Sequence, residues 1–393
     1  MDLSTISNRA AERQAESTGG GVVHVITGLE VGGAEMLLLE LCREDLRRGR
    51  ASSVASLISE GPMRRRFAEI GVEVAGLGMQ RGGSIIPGLM RLVRLIRRRR
   101  PRIVQGWLYQ GNLGAAAATW LSGVRPRPKL AWSIHGAVPD FRYYPARLRR
   151  AVRFGARLSP AVDGILYNGA AALDQHREIG FRSHLAQLFS NGIDLAKFRH
   201  ALELRQATRR ALCLPEDAVV VIAVGRDDPM KNWPGMLAAA EAAAAQQVWL
   251  VAVGDGTERL PPGSRRSLLG RREDMPALYA AADIFMLASH FGEGTSVALT
   301  EAMACGLPAI VSDVGDNGAI AAGAGVVVPP RDAAALARAL ANLAADPKLR
   351  ARAGSAAQAR AVCRFGVDRL YASFSQFYDA LVADPSSNGP VAV

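Results

Sequence analysis

The stretch GVVHVITGLEVGGAEMLLLELCREDL, residues 21–46, falls into three parts: a β-branched apolar run, a loop with paired glycines, and an apolar-periodic segment. This spacing predicts a strand, a glycine turn and a helix. The pattern continues with strand-like SSVASLI and VEVAGL, helix-like IIPGLMRLVRLIRRRR, strand-like RIVQGW, helix-like NLGAAAATWLSG, and strand-like KLAWSI, which runs up to His135. Strands alternating with helices predict a parallel, doubly wound α/β sheet.

From about residue 218 the scheme repeats: AVVVIAVG, WPGMLAAAEAAAA, VWLVAVG, MPALYAAA, IFMLAS, SVALTEAMA and PAIVS. FSNGIDLAKFRH (189–200) breaks the periodicity with an Asn-Gly turn, so the expected domain boundary lies there. A chain of 393 residues, 49% of them hydrophobic, is long enough for two such domains. Ligands of open α/β sheets bind outside the carboxyl ends of strands, so both sheets are expected to point those ends at a shared cleft.

No uncharged apolar run reaches the ~18 residues of a membrane span, and the polar start, residues 1–20, reads as a disordered leader without a hydrophobic signal. The expected location is the cytoplasm. Four widely spaced cysteines, Cys42, Cys213, Cys305 and Cys363, read as reduced, mostly buried thiols, with no zinc pattern. Net charge is +12 and uneven: residues 81–160 hold 17 Lys or Arg against one acid, Asp140. Such a block attracts an anionic partner unless its cations merely solvate helix faces.

The chemistry gathers in FGEGTSVALTEAMACG (291–306), where Glu293 and Glu301 flank a Gly-Thr-Ser turn between a predicted strand and helix. Thr295 or Ser296 can cap the helix, and the amides of Gly294, Thr295 and Ser296 at its amino end suit a phosphate or sugar oxygen. The two carboxylates suit paired sugar hydroxyls, or are a loop charge and a solvated helix residue. In AVGRDDPMKNW (223–233), Arg226 and Lys231 would place two cations at the cleft for a diphosphate, the alternative being a surface ion pair with Asp227 or Asp228. Gly32 and Gly33 offer bare amides but fit neither the dinucleotide nor the P-loop pattern. His135, followed by Gly136, puts an imidazole on a carboxyl-end loop, where a histidine serves packing or catalysis. No metalloprotease motif, nucleophile elbow or D-x-D metal pair occurs, so metal dependence is not expected.

In order and spacing, VGGAEM, LYQGNLGAAAATWLSGV, WSIHG, SNGIDLAKF, VGRDDPMKN, DIFMLAS, GEGTSVALTEAMACGLPAIVSDVGDN and GVVVPPRD resemble the retaining glycosyltransferases of the GT-B fold, the "glycosyl transferases group 1" family. The resemblance covers nearly the whole chain. It implies two Rossmann-like domains: an acceptor domain over 21–190 and a nucleotide-sugar domain over 191–365. A final helix over 366–383 would cross back to the first domain, before a flexible tail, 384–393. It further implies that Glu301 takes ribose hydroxyls, Arg226 and Lys231 the diphosphate, and Glu293 with the Gly294–Ser296 amides the transferred sugar. Gly33 would face the phosphate and His135 the sugar; the catalytic set would be His135, Glu293, Arg226 and Lys231. No cofactor or metal is implied beyond the nucleoside diphosphate sugar itself. Two departures from the family's pattern are Gly294, where a larger residue is usual, and VGDN (314–317).

The basic block falls in the implied acceptor domain. IIPGLMRLVRLIRRRR would set Leu89, Leu92, Val93 and Ile96 against Arg91, Arg94 and Arg98, and FRYYPARLRRAVRFGARL adds Phe141, Tyr143, Tyr144, Arg149 and Arg150. These resemble interfacial helices beside anionic lipid. The expected partners are a sugar nucleotide, a glycan or lipid-linked acceptor, and the anionic inner face of the cytoplasmic membrane. A nucleic-acid-binding module lacks every supporting signature, so no nucleic acid is expected. A nucleotide-sugar epimerase on the same scaffold is the competing enzyme.

Overall fold

The first sheet comprises β1 (Val22–Ile26), β2 (Ser52–Ser56), β3 (Val74–Gly76), β4 (Ile103–Trp107), β5 (Lys129–Ile134), β6 (Gly164–Asn168) and β7 (Leu185–Phe189), in the order β3-β2-β1-β4-β5-β6-β7. The second comprises β8 (Val219–Val224), β9 (Val248–Val253), β10 (Arg266–Leu268), β11 (Ile284–Leu287), β12 (Ala309–Ser312) and β13 (Gly325–Val328), in the order β10-β9-β8-β11-β12-β13. Every strand pair is parallel. The computed structural model describes residues 21–58, 61–79 and 84–383; the expected leader and tail lie outside them.

Parallel strands covered by helices on both faces are buried on both sides, which is why β1 and β8 read as continuous apolar runs. Each sheet accordingly has two cores, one per face. In both sheets the order reverses between the first and fourth strands of the set, at β1/β4 and β8/β11. The loops leaving the strands' carboxyl ends there open onto the space between the sheets. The chain crosses from β7 into the second sheet and returns beside its own path: Ile193 bridges to Gly366, with Ile193 N donating to Phe365 O at 2.8 Å.

The returning helix, Val367–Val382, lays Leu370, Phe374, Phe377 and Leu381 on the first sheet. A Cβ on Gly164 of β6 would lie 2.9 Å from Phe377 Cζ, so glycine there admits the ring. The helices 86–99, 108–122 and 146–158 lie side by side on the first sheet. Leu92, Val93 and Ile96 point into its core, and Leu89 packs against it. This corrects the expectation that they face lipid: a helix laid on a sheet buries its apolar stripe first. Among the thiols, Cys42 and Cys305 are buried and Cys213 and Cys363 exposed. No helix among the described residues is long and apolar enough to cross a membrane.

Candidate active site

Lys231 owes its position to the local chemistry of DDPMKNWPG. Asp228 Oδ1 accepts from Met230 N at 2.9 Å, opening a single 3₁₀ turn that Pro229 pre-sets. Asn232 then turns left-handed at φ 57° and caps the next helix by accepting from Gly235 N at 3.1 Å. The lysine is thereby aimed at the loop after β11, where Nζ donates to Glu293 Oε1 at 2.6 Å. Ser289 Oγ donates to the same oxygen at 2.5 Å, and both charges are largely withdrawn from water. Glu293 is therefore a fixed, paired carboxylate. Arg226 stays 65% exposed at the end of β8, 3.8 Å from Asp228, where Trp233 Nε1 holds its carbonyl at 2.9 Å.

Ser296 caps the helix Val297–Ala304, accepting from Leu299 N at 3.4 Å. Five residues beyond that cap, Glu301 Oε2 accepts from the Tyr279 hydroxyl at 3.0 Å. Burial raises the Glu301 carboxyl to about 7, against the lowering effects of Tyr279 and Lys197. From the first domain, Gly33 meets the start of this helix: a Cβ there would lie 3.6 Å from Val297 Cγ2. Gly32 has the Glu35 carboxyl directly over it.

Thr295 is committed to Asn168 of the first domain and to Asn191 of the segment that crosses between the domains. Its amide donates to Asn168 Oδ1 at 2.9 Å, its hydroxyl accepts from Asn191 N at 3.2 Å, and its carbonyl accepts from Asn191 Nδ2. That amide is consequently not free for a sugar oxygen, a correction to the expectation for residues 294–296. Gly294 permits the contact, since a Cβ would sit 2.6 Å from Asn168 Oδ1 and 2.7 Å from Asn168 O. The structure thus gives a packing reason for glycine at the position that departs from the family pattern. Asp316, inside VGDN, accepts from Ala171 N at 3.3 Å across the same seam.

His135 faces a partly open cavity of about 160 Å³ lined from both domains. Its ring stacks on Trp107 at 4.9 Å, and Trp107 stacks on Phe374 of the returning helix at 5.7 Å. Ser133 Oγ donates to the Gly106 carbonyl at 3.0 Å, so it accepts, at 2.9 Å, from His135 Nε2. The hydrogen therefore sits on Nε2, and Nδ1 keeps a lone pair. Burial lowers the imidazole to about 3, so it is neutral near pH 7. The cavity is otherwise apolar or aromatic, and its two tyrosine hydroxyls are spoken for. Tyr109 bonds His176 at 2.7 Å, and Tyr144 donates to Asp228 at 3.0 Å.

The surface candidates separate. Arg91 donates to the Leu77 carbonyl at 2.9 Å and Arg98 to Glu73 at 3.2 Å, whereas Arg94, Arg149 and Arg150 are exposed with no ion pair among the described residues. Tyr143 is half-exposed yet stacks at 5.3 Å on Phe291, one of the residues that line the cavity, and it precedes the helix 146–158. Glu35, Asn168, Asn191, Tyr279 and Asp316 were not singled out from the sequence. A short Asn-Gly pair after a strand, in LYNGA and FSNGI, is the signal that could have marked the two asparagines.

Residues 205–360 match the family model described as glycosyl transferases group 1, and residues 31–197 that described as glycosyltransferase family 4. The chain belongs to the group 1 glycosyltransferases. It is 32% identical over 229 residues, 49% of each chain, to a D-inositol 3-phosphate glycosyltransferase of Salinispora arenicola. It is 34% identical over 145 residues, 32% of this chain and 36% of the relative, to an Escherichia coli UDP-Gal:alpha-D-GlcNAc-diphosphoundecaprenol alpha-1,3-galactosyltransferase. The match to the former thus spans about half the relative's length. Among solved structures, Anabaena HepE in complex with UDP and glucose superimposes with a TM-score of 0.80 at 21% identity, covering 92% of this chain and all of the other. The fold is therefore GT-B.

Proposed function

We propose that the protein transfers a sugar from a nucleoside diphosphate sugar to an acceptor hydroxyl, with retention of anomeric configuration and without a metal. The observation that carries this reading is the Lys231–Glu293 pair with Arg226 beside it, on loops at the carboxyl ends of β8 and β11. Two cations there meet a diphosphate whose charge grows as the sugar departs, and charge-assisted bonds strengthen with that charge. Glu301 accepts ribose hydroxyls, Gly33 approaches the phosphate from the opposite wall, and Glu293 with Gly294 and Ser296 faces the transferred sugar. The name of the E. coli relative specifies a UDP sugar, and HepE was crystallised with UDP and glucose; both agree with this donor class.

Transfer then proceeds through an oxocarbenium-like state on one face of the sugar. The departing diphosphate oxygen receives the acceptor hydroxyl's proton while Arg226 and Lys231 hold the charge that develops. His135, neutral and with Nδ1 available as an acceptor, orients a hydroxyl of donor or acceptor rather than supplying charge.

The acceptor we propose is lipid-linked, presented at an anionic membrane surface. Supporting this, the cavity beside His135 offers a sugar few unpaired polar groups. The first domain exposes Ile85, Ile86, Trp120, Leu121 and Phe154 on or beside its three adjacent helices, one of which carries Arg149 and Arg150. A thermal-shift panel of nucleoside diphosphates and their sugars tests the donor, since a ligand at 100 times its Kd adds ~2.7 kcal/mol of stability. No shift with any of them overturns the reading. An inverted anomeric proton in the product's NMR spectrum overturns retention.

A further inference from the structure

Glu35 has no part in the reaction as described so far, yet its carboxyl is buried at the first domain's side of the cleft. It is the third residue of the helix Gly33–Arg47, and Oε2 lies 2.5 Å from where a Cβ on Gly32 would stand. The acid thus rests on the glycine turn whose amides the donor's phosphates approach, and it accepts from its own main chain. Gly33 alongside contacts Val297, so the carboxyl sits where the first domain meets the helix bearing Glu301. The charged groups that act on it are Arg226, from the loop after β8, and Glu30, from its own preceding loop. Val297, the contact from the second domain's helix, carries no charge.

We propose that Glu35 is a positioning residue of the donor site, whose carboxyl holds the Gly32–Gly33 turn and takes up a proton from solvent when a diphosphate enters between that turn and Arg226. This rests on the donor reading above. A diphosphate diester brings two negative charges to the place a carboxylate already occupies. An ionised Glu35 would oppose it, whereas a protonated one holds the turn without setting a like charge against the phosphates. Burial already brings the group to about 7, so the proton is available at little cost near neutral pH.

Isothermal titration of the full chain with UDP-glucose and GDP-mannose, each in two buffers of different ionisation heat, counts protons taken up. Neither sugar nucleotide itself titrates near neutral pH. The Glu301 carboxyl, which accepts ribose hydroxyls, releases protons on binding, so the difference between proteins is the readout. At pH 7 the wild type takes up about half a proton more per site than Glu35→Gln, and the affinity advantage of Glu35→Gln grows by up to ~10-fold per pH unit above 8. Glu301→Gln is the second variant, in which the uptake by Glu35 stands alone and positive. Equal proton counts in wild type and Glu35→Gln overturn the proposal, as does zero uptake in Glu301→Gln. Binding of neither sugar nucleotide to any of the three proteins overturns the donor reading and this proposal with it.

Discussion

Lys231 Nζ and Glu293 Oε1 lie 2.6 Å apart, joining the loop after β8 to the loop after β11 with 13% and 7% of the side chains exposed. Removing one partner leaves the other charge unpaired and largely out of water, at a cost of roughly 3–5 kcal/mol. Lys231→Met is therefore expected to lower both Tm and kcat/KM. The double variant Lys231→Met/Glu293→Gln recovers most of the stability and none of the activity. Recovery of activity in the double variant would show that the pair acts only as scaffold.

Arg226 behaves differently because its guanidinium is mostly in water. Arg226→Ala should leave Tm within the scatter of ordinary surface changes while kcat/KM falls at least ~10-fold, the equivalent of ~1.4 kcal/mol. Near-normal turnover would remove it from the diphosphate.

Glu301 makes the free protein pH-sensitive. The folded carboxyl keeps its proton to about pH 7, whereas the ordinary group loses it near 4.5, so the folded state binds more protons between those values. Stability consequently falls as pH rises across that window, by about 3 kcal/mol as an upper bound. Glu301→Gln should raise Tm at pH 8 and change it little at pH 4, while weakening nucleotide binding. An equal Tm gain at both pH values would mean that charge burial is not the cause.

Gly294→Ala sets a methyl against both the side chain and the backbone carbonyl of Asn168, at 2.6 and 2.7 Å. The two domains must separate to accept it. Small-angle scattering should give a larger radius of gyration, with lower turnover. Asn168→Ala should not rescue the variant, because the carbonyl remains. An unchanged radius of gyration would place the strain within one domain.

On the helix Ala146–Leu158, Arg149, Arg150 and Arg153 project outward with no ion pair among the described residues. Replacing all three with Glu should abolish sedimentation with vesicles containing anionic phospholipid, each lost cation weakening binding by ~1 kcal/mol, and wild-type binding should fall with added salt. Vesicle binding that survives the triple change would move the docking surface elsewhere.

Both sheets were legible because parallel strands buried on two faces leave unbroken apolar runs, as in residues 22–26 and 219–224, and glycine turns separate them from amphipathic helices. Less was legible at β7, where LAQLF alternates partly exposed positions at a sheet edge. Periodicity also placed Leu92, Val93 and Ile96 on one helix face without saying what covered that face. The same pattern serves a protein core and a membrane interface.

The one-dimensional order of residues settled the element types, the duplication and the residue types gathered at strand ends, since these depend on neighbours within a few positions. Which of those groups meet depended on contacts that span the chain. Lys231 reaches Glu293 across 62 residues, Asn168 reaches Thr295 across 127, and Phe374 supports His135 through Trp107. Such pairings come from how two sheets and a returning helix pack in three dimensions, and with them come the burial and the charges that set each group's affinity for protons.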